Sequence, residues 1–421
     1  VSPVRALRSF AVALAVALAA AGVTIAVLVW APPLLGASAA ASSAVIIWPE
    51  AHAERTVPEP PPKVERVTLL AVGDCMVHLP QLASARTGDS YDFWPCFEPV
   101  ASRIAAADLA VGNLETTLAG AEAGYSGYPT FNSPDAYAEA LAKAGFDVLT
   151  TANNHTLDRG PVGLARTLEV LDRLGVRHTG TARSAVEADE VLLAEVRGVR
   201  IAVLAYTYGM NGFSVPAGKP WMVNVIDEKR MRSAVNKARA AGADVVVVSV
   251  HNGVEYERRP SQAQVRLERA LVDAGADVVL GSHPHVLQPM EVLAVERSGE
   301  PTRTAFIVHS LGNFMSNQRE RYRDTGVMVR LVFEKNLKTK ATALVAVEYV
   351  PVWVDDTDGA RKAHRVLPIA EAVGRGYQGV NEADRTKMRQ AWEDTTTHLG
   401  SAAATSADPA AVVFWSARPG R

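Results

Sequence analysis

Residues 245–289 read VVVVSVHNGVEYERRPSQAQVRLERALVDAGADVVLGSHPHVLQP. Two stretches with the character of buried strands, Val245–Val250 and Asp277–Leu280, each run into histidine. The first leads to His251-Asn-Gly and the second to Gly281-Ser-His283-Pro-His285. Between them, Ser261–Ala274 places Val265, Leu267, Ala270, Leu271 and Ala274 near the 3.6-residue period, which predicts a helix. Strand, helix and strand in that order make a crossover unit, and such units set parallel strands side by side. The histidines then share the edge where α/β sheets place ligands. Three imidazoles converging there predict a metal site.

The 421 residues suffice for one large domain or two modest ones with an ample core. A formal net charge of −2 gives no electrostatic case for nucleic acid. Two cysteines exclude a cysteine-rich zinc module, so a metal must rest mainly on His, Asp, Glu and Asn. Near the start, Arg5 and Arg8 precede an uncharged apolar run from Phe10 to Trp30. That is roughly the 20 residues that cross a bilayer. A basic start followed by such a run directs the remainder outward. Residues 1–30 are therefore expected to be an uncleaved signal anchor, with the domain outside a cell membrane. The alternative is a signal peptide cleaved near Ala37-Ser38-Ala39, giving a secreted protein. Residues 31–64, rich in proline and small residues, read as a linker. In an exported setting Cys75 and Cys96 form either a disulfide or two buried thiols.

The folded domain is expected over residues 65–372. Its first strand, Glu65–Val72, ends in Gly73-Asp74. A second, Asp108–Val111, ends in Gly112-Asn113-Leu-Glu115, and a third, Phe146–Thr150, runs into Asn153-Asn154-His155-Thr-Leu-Asp158. Helices are predicted at Pro134–Ala144 with a Ser133 cap, at Pro161–Leu174 and at Asp227–Ala241. Val191–Val196 and Arg200–Ala205 read as a hairpin, Thr304–His309 as a strand ending near Asn313, and Val327–Phe333 and Thr342–Pro351 as antiparallel strands. Residues 373–421 read as a helix at Glu382–Leu399 followed by a disordered tail from Ser401. Five strands thus end in Asp, Asn, Glu or His. Mixed oxygen and nitrogen donors without thiolate suit Mn, Fe or Zn, and a bridging ligand would let two such ions sit together. Asp158, three residues after His155, can orient that imidazole and leave its other nitrogen to protonate a leaving oxygen. Arg258 and its basic neighbours can meet an anionic substrate.

Gly73-Asp74, Gly112-Asn-Leu-Glu115, Ala152-Asn-Asn-His-Thr-Leu-Asp158, His251-Asn-Gly-Val-Glu-Tyr256, Gly281-Ser-His-Pro-His285 and Ser310-Leu-Gly-Asn-Phe314 occur in this order. Together they resemble the bacterial poly-γ-glutamate capsule synthesis (CapA-type) family, itself similar to calcineurin-like metallophosphoesterases. The resemblance covers about Val67 to Pro351. It implies a four-layer α/β/β/α sandwich of metallophosphoesterase type and a membrane-attached role in making or exporting an anionic γ-linked glutamate polymer. By the same resemblance Asp74 and His285 would hold one divalent ion, and Asn154, His251 and His283 a second. Glu115 or Asn113 would bridge them, His155 with Asp158 would serve the leaving group, and Asn313 and Arg258 would meet substrate. Met76 stands where phosphoesterases usually carry a histidine, which weakens the first site and leaves one or two ions open, with His78 an unusual substitute. The implied function is a metal-dependent hydrolase using a metal-bound water on a phosphoester or an amide. The alternatives are a non-catalytic polymer-handling subunit beside a membrane synthase, or a general exported metallophosphoesterase.

Overall fold

In a computed structural model, which describes residues 63–296, 302–356, 364–374 and 376–417, the crossover unit at 245–289 forms as its sequence dictates. The strands in chain order are β1 (Val64–Cys75), β2 (Arg86–Thr87), β3 (Ser90–Tyr91), β4 (Leu109–Leu114), β5 (Val148–Thr150) and β6 (Arg177–Thr179). There follow β7 (Leu192–Val196), β8 (Val199–Thr207), β9 (Val245–His251), β10 (Val278–Ser282), β11 (Leu287–Val295) and β12 (Arg303–Leu311). The last are β13 (Asn313–Met315), β14 (Thr325–Asn336), β15 (Thr342–Asp355), β16 (Arg365–Pro368) and β17 (Val412–Ser416). One sheet runs β16-β15-β14-β1-β4-β5-β6, with β13 also on β1 and β17 also on β15; the other runs β11-β12-β10-β9-β8-β7.

Strand alternation sorts the core into layers. Leu69, Ala71, Leu109, Val111 and Val148 of the first sheet pack against Val203, Val247, Val278 and Phe306 of the second. Their neighbours Leu70, Val72, Ala110 and Leu149 face the opposite way, onto Phe97 and Val100 of the helix Trp94–Ala105 and Tyr137 and Leu141 of the helix Asp135–Ala144. On the far side, Val246, Val248, Val279 and Ile307 meet Met231 and Val235 of Glu228–Ala240 and Leu271 and Val272 of Gln262–Ala274. The order of layers is helix, sheet, sheet, helix. β4 and β5 continue β1 in parallel, and β8, β9, β10 and β12 are mutually parallel. Their C-terminal ends carry the polar motifs.

Several local expectations shift. The helix Gln262–Ala274, capped by the Ser261 side chain, buries Gln264 and Glu268 together with Leu271 and Val272. Val265 and Leu267 are less enclosed. Polar side chains point inward because Glu268 pairs with His309 of β12 at 2.5 Å and Gln264 donates to the His309 carbonyl at 2.9 Å. Pro134, not Ser133, caps the helix Asp135–Ala144, because the Ser133 hydroxyl is 2.8 Å from that of Thr116. The helix Glu382–Leu399 forms with the expected limits and packs Met388 and Ala391 on Trp353 and Leu367. The tail from Ser401 is ordered at β17, contrary to expectation. Val412–Ser416 pair antiparallel with Ala346–Tyr349, a partner remote in sequence that supplies the hydrogen bonds a short isolated run lacks. Cys75 and Cys96 are free buried thiols, and burial pushes Cys96 up to about 12. Among the described residues no helix is long and apolar enough to cross a membrane; the expected anchor and the linker to residue 62 lie outside them.

Close backbone approach beside the motifs demands glycine. A Cβ at Gly281 would lie 1.9 Å from the His309 carbonyl oxygen, and one at Gly73 1.9 Å from that of Gly312. Neither obstacle can rotate away. Gly281→Ala is expected to destabilise the domain by about 2–3 kcal/mol or more, read as a lowered urea midpoint at unchanged slope. Gly209→Ala, which meets open space, should stay within about 0.5 kcal/mol. Equal midpoints for the two variants would refute the steric account.

Candidate metal centre

Asp74 reaches the site because β1 is paired at its tip with both β4 and β13, which fixes Asp74 opposite Asn113 and Asn313. Asp74 is fully buried, and Oδ1 accepts from Asn113 Nδ2 at 2.8 Å. Its Oδ2 accepts from the His283 backbone N–H at 3.2 Å and lies 3.2 Å from His285 Nδ1. Burial alone would raise this carboxyl, yet the hydrogen bond and charge of His285, with His251 and Asn113, hold it below the usual carboxylate range.

Glu115 follows β4 and is also fully buried, but neither of its carboxylate oxygens has a hydrogen-bond partner among the described residues. Burial, then the neighbouring Asp74, pushes its pKa well above normal. His251 Nε2 lies 3.6 Å and His285 Nε2 3.9 Å from Glu115 Oε1. Asn113 turns its amide oxygen towards Asn153 Nδ2 at 3.2 Å and Thr150 Oγ1 at 3.4 Å. Of the two bridging candidates, Glu115 is therefore the one with free donor atoms, while Asn113 positions Asp74.

His251 and His283 are held as neutral donors. Burial, then His283, lowers His251 well below its ordinary value; burial, then His285, lowers His283 to about 4. His285 Nδ1 faces two acceptors, Asp74 Oδ2 and Asn313 Oδ1 at 3.1 Å, so Nδ1 carries a proton and Nε2 is the ring nitrogen turned towards Glu115. His251 lies between Ser282 Oγ, 2.9 Å from Nδ1, and Asn154 Oδ1, 2.8 Å from Nε2. A hydroxyl both donates and accepts, so the ring can move its proton to the Ser282 side and free Nε2. His283 Nδ1 is buried without a partner. His283 and His285 also adopt φ of +99° and +57°, strained values that the surrounding packing must maintain.

Two groups of donor atoms converge within 4.8 Å: Asp74, Glu115 and His251, all buried, and His283, His285 and the exposed Glu255. Two unpartnered Glu115 oxygens, an unpartnered His283 nitrogen and the neutral imidazoles of His251 and His283 fit a divalent cation. The grouping differs in part from the one the resemblance implies, since His251 joins Asp74 and Glu255 joins His285. Glu255 lay within the quoted His251–Tyr256 motif, but an acidic residue in a loop gave no separate signal. Asn211, which reaches both Asn154 and His155, had no sequence signal at all.

His155 and Asp158 form the expected pair, Nδ1 to Oδ2 at 2.7 Å, with Asp158 Oδ2 also accepting from the Phe131 N–H at 2.6 Å. The remaining His155 nitrogen, Nε2, lies 3.4 Å from Asn211 Nδ2. Asn313, expected at substrate, is fully buried behind His285, its amino group bonded to Gln318 and the Arg323 carbonyl. It positions the ligand instead. Arg258 lies in a neighbouring cavity, over the Tyr322 ring at 4.0 Å. His78 bonds Gln81 and the Asn317 N–H through Nδ1 and packs edge-on to Phe131, a helix-start role.

A buried, ionisable Glu115 without partners costs stability in the metal-free chain, and the cost grows as pH rises above the ordinary glutamate value because the raised pKa opposes ionisation. Glu115→Gln is therefore expected to raise the melting temperature of the chelator-treated protein at pH 7, by an amount equivalent to about 1–2 kcal/mol. It should also abolish most of the further rise that added Mn or Zn gives the parent chain. A variant that melts lower without metal and still responds fully to it would contradict this assignment.

A family profile described as "Bacterial capsule synthesis protein PGA_cap" matches residues 68–318. The capsule biosynthesis protein CapA of Bacillus anthracis is 29% identical over 293 residues, 67% of this chain and 67% of that protein. The PGA biosynthesis protein CapA of Bacillus subtilis is 34% identical over 201 residues, 47% of this chain and 50% of its own length. The chain thus spans about two thirds of one relative and half of the other. Among solved structures, a Haemophilus influenzae NAD nucleotidase aligns at TM-score 0.44 and 12% identity, over 80% of this chain and 64% of that one. A calcineurin-like phosphoesterase, YfkN of Bacillus subtilis, aligns at TM-score 0.39 and 14% identity, over 80% and 99%. With its motifs inside a match that covers more than half of its length, the chain belongs to the bacterial capsule synthesis protein (PGA_cap) family.

Proposed function

We propose that this chain is a membrane-anchored, extracellular component of poly-γ-glutamate capsule biosynthesis or export, and that its four-layer domain is a metal-dependent hydrolase of metallophosphoesterase type. Family membership supports the setting. The observation that carries the chemistry is Glu115: two buried, unpartnered carboxylate oxygens facing the Nε2 atoms of His251 and His285. Asp74, Glu115 and His251 would hold one ion, and Glu255, His283 and His285 a second. When bound, Mn, Fe or Zn in such a donor set supplies Lewis acidity and makes water a stronger acid.

The chain's own residues do the rest. Asp158 accepts from Nδ1–H of His155 and fixes the tautomer, so Nε2 is the nitrogen left to take up a proton and pass it on. Protonated there, His155 gives its proton to the leaving oxygen or nitrogen as the bond to phosphorus or carbon breaks. Asn211 and Asn154 hold this imidazole and that of His251 in one hydrogen-bonded row. The substrate is a phosphoester or amide on an anionic polymer. The second reading, a polymer-handling subunit beside a membrane synthase, draws support from Met76, buried where the resembling enzymes carry a histidine.

Metal content and turnover of the full chain in mild detergent decide between them. Purified without chelator, the chain should hold one or two ions and cleave a phosphodiester or poly-γ-glutamate. His155→Ala should lower kcat by about 10²–10⁴-fold with metal content unchanged. Full turnover by that variant would remove His155 from the mechanism. Bound metal with no turnover on either substrate would establish the polymer-handling reading.

A further inference from the structure

A second cavity, of about 390 Å³, lies where the helix Glu382–Leu399 meets the segment Arg319–Thr325. Most of its lining is beyond residue 318, outside the span that the family profile matches. Four cations line it, Arg258, Arg319, Arg321 and Lys387, against two carboxylates, Asp324 and Asp394. Two of the cations are already paired, Arg321 with Asp394 and Arg319 with Asp356 at 3.1 Å, which leaves Arg258 and Lys387 without an ion pair among the described residues. Asp394 is engaged by Arg321 at 2.7 and 2.8 Å, and Asp324 accepts from Trp353 Nε1 at 2.8 Å. Lys387 is exposed and has no hydrogen bond or ion pair among the described residues. The Nε–H of Arg258 is buried and also unpartnered.

At the centre stands Tyr322, whose ring carries the Arg258 guanidinium at 4.0 Å and that of Arg321 at 4.8 Å. Arg321 is neutralised there by Asp394, so Arg258, stacked on the ring, is the guanidinium left to meet an incoming anion. Tyr322 also adopts φ of +77°, a conformation an L-residue keeps only when its surroundings impose it. The next residue, Arg323, places its guanidinium 3.4 Å from the centroid of the Tyr256 ring, and Tyr256 lies 6.2 Å from His285. A cationic and aromatic row therefore leads from the cavity to the metal centre.

We infer that this cavity is an anion subsite that grips a carboxylate of an extended polycarboxylate chain while another part of the same chain occupies the metal centre. The guanidinium of Arg258 matches a planar carboxylate, and the exposed Lys387 adds a second charge. This inference rests on the reading of an anionic polymer as substrate, and it assigns the C-terminal helix, through Lys387, to holding that polymer.

The test is calorimetric binding to the full chain in mild detergent, after EDTA treatment and dialysis, so that the metal centre does not contribute. The probes are a poly-γ-glutamate oligomer of about ten residues and, separately, inorganic tripolyphosphate. The oligomer should bind, and Lys387→Glu should weaken it about tenfold or more. Arg258→Gln should also weaken it, while Arg266→Glu, the same charge reversal on an exposed face of another helix, should not. Melting temperatures of the variants report that they fold. Unchanged oligomer affinity in folded Lys387→Glu and Arg258→Gln would overturn the subsite. Equal weakening by Arg266→Glu would also overturn it, by reducing it to general charge. Tripolyphosphate binding without oligomer binding would overturn the carboxylate class. Oligomer binding lost in Lys387→Glu, in a parent chain that shows no turnover, would uphold the subsite and retire only the hydrolase reading.

Discussion

Two carboxylates buried side by side are the constraint on which this structure depends. Asp74 and Glu115 come from adjacent parallel strands, and both are fully enclosed. Without a compensating cation one of them resists ionisation, and here it is Glu115, while Asp74 keeps its charge through His285, His251 and Asn113. The second sheet then has to bring nitrogen donors over the first sheet's acids, and it does so at the strand ends where His251 and His283–His285 emerge. The cost is visible in the backbone, since His283 and His285 both sit at positive φ. Polar atoms and strain gathered at one sheet edge would destabilise a purely structural core, and a bound cation would offset the buried charge.

The parts of this arrangement that sequence made legible are those with short-range causes. Alternation and β-branching placed β1, β9, β10, β14 and β15, and the helical period placed the helices that Asp227 and Ser261 prove to cap. Motifs at strand ends named Asp74, Glu115, His155, Asp158, His251, His283 and His285; five of these fall in two groups of donor atoms, and the His155–Asp158 pair is linked to His251 through Asn211 and Asn154. What escaped depends on long-range partners. Gln264 and Glu268 look like the solvated face of a helix until His309 is brought beneath them. Asn313 looks like a substrate ligand until its amino group is seen bonded to Gln318 and the Arg323 carbonyl. Val412–Ser416 carries β-branched and aromatic residues, but a five-residue run has no fate of its own until Ala346–Tyr349 offers an edge.

The C-terminal segment changes how the domain is to be understood. The helix Glu382–Leu399 and β17 both close on β15, a strand that the matched family span does not include. Through Tyr322 and Arg323 that segment touches the loop carrying Tyr256, which sits over His285. The candidate metal centre lies within the span that the family profile matches, whereas the cavity beside the C-terminal helix lies mostly beyond it.

β1 has a further consequence for how the chain acquires its shape. Val64–Val72 pair with Met328–Asn336, strands separated by more than half the length of the sequence. A polypeptide that emerges N-terminus first therefore presents β1 with one edge open until nearly 270 later residues have followed. That open edge is apolar and extended, the type of surface on which chains adhere to one another. All the acids and imidazoles of the centre, and β13 that braces Asp74, are made before β14 arrives to close that edge of β1. Slow assembly, protected from neighbours, is thus written into the position of β14, and the site matures only when the sheet around it is complete.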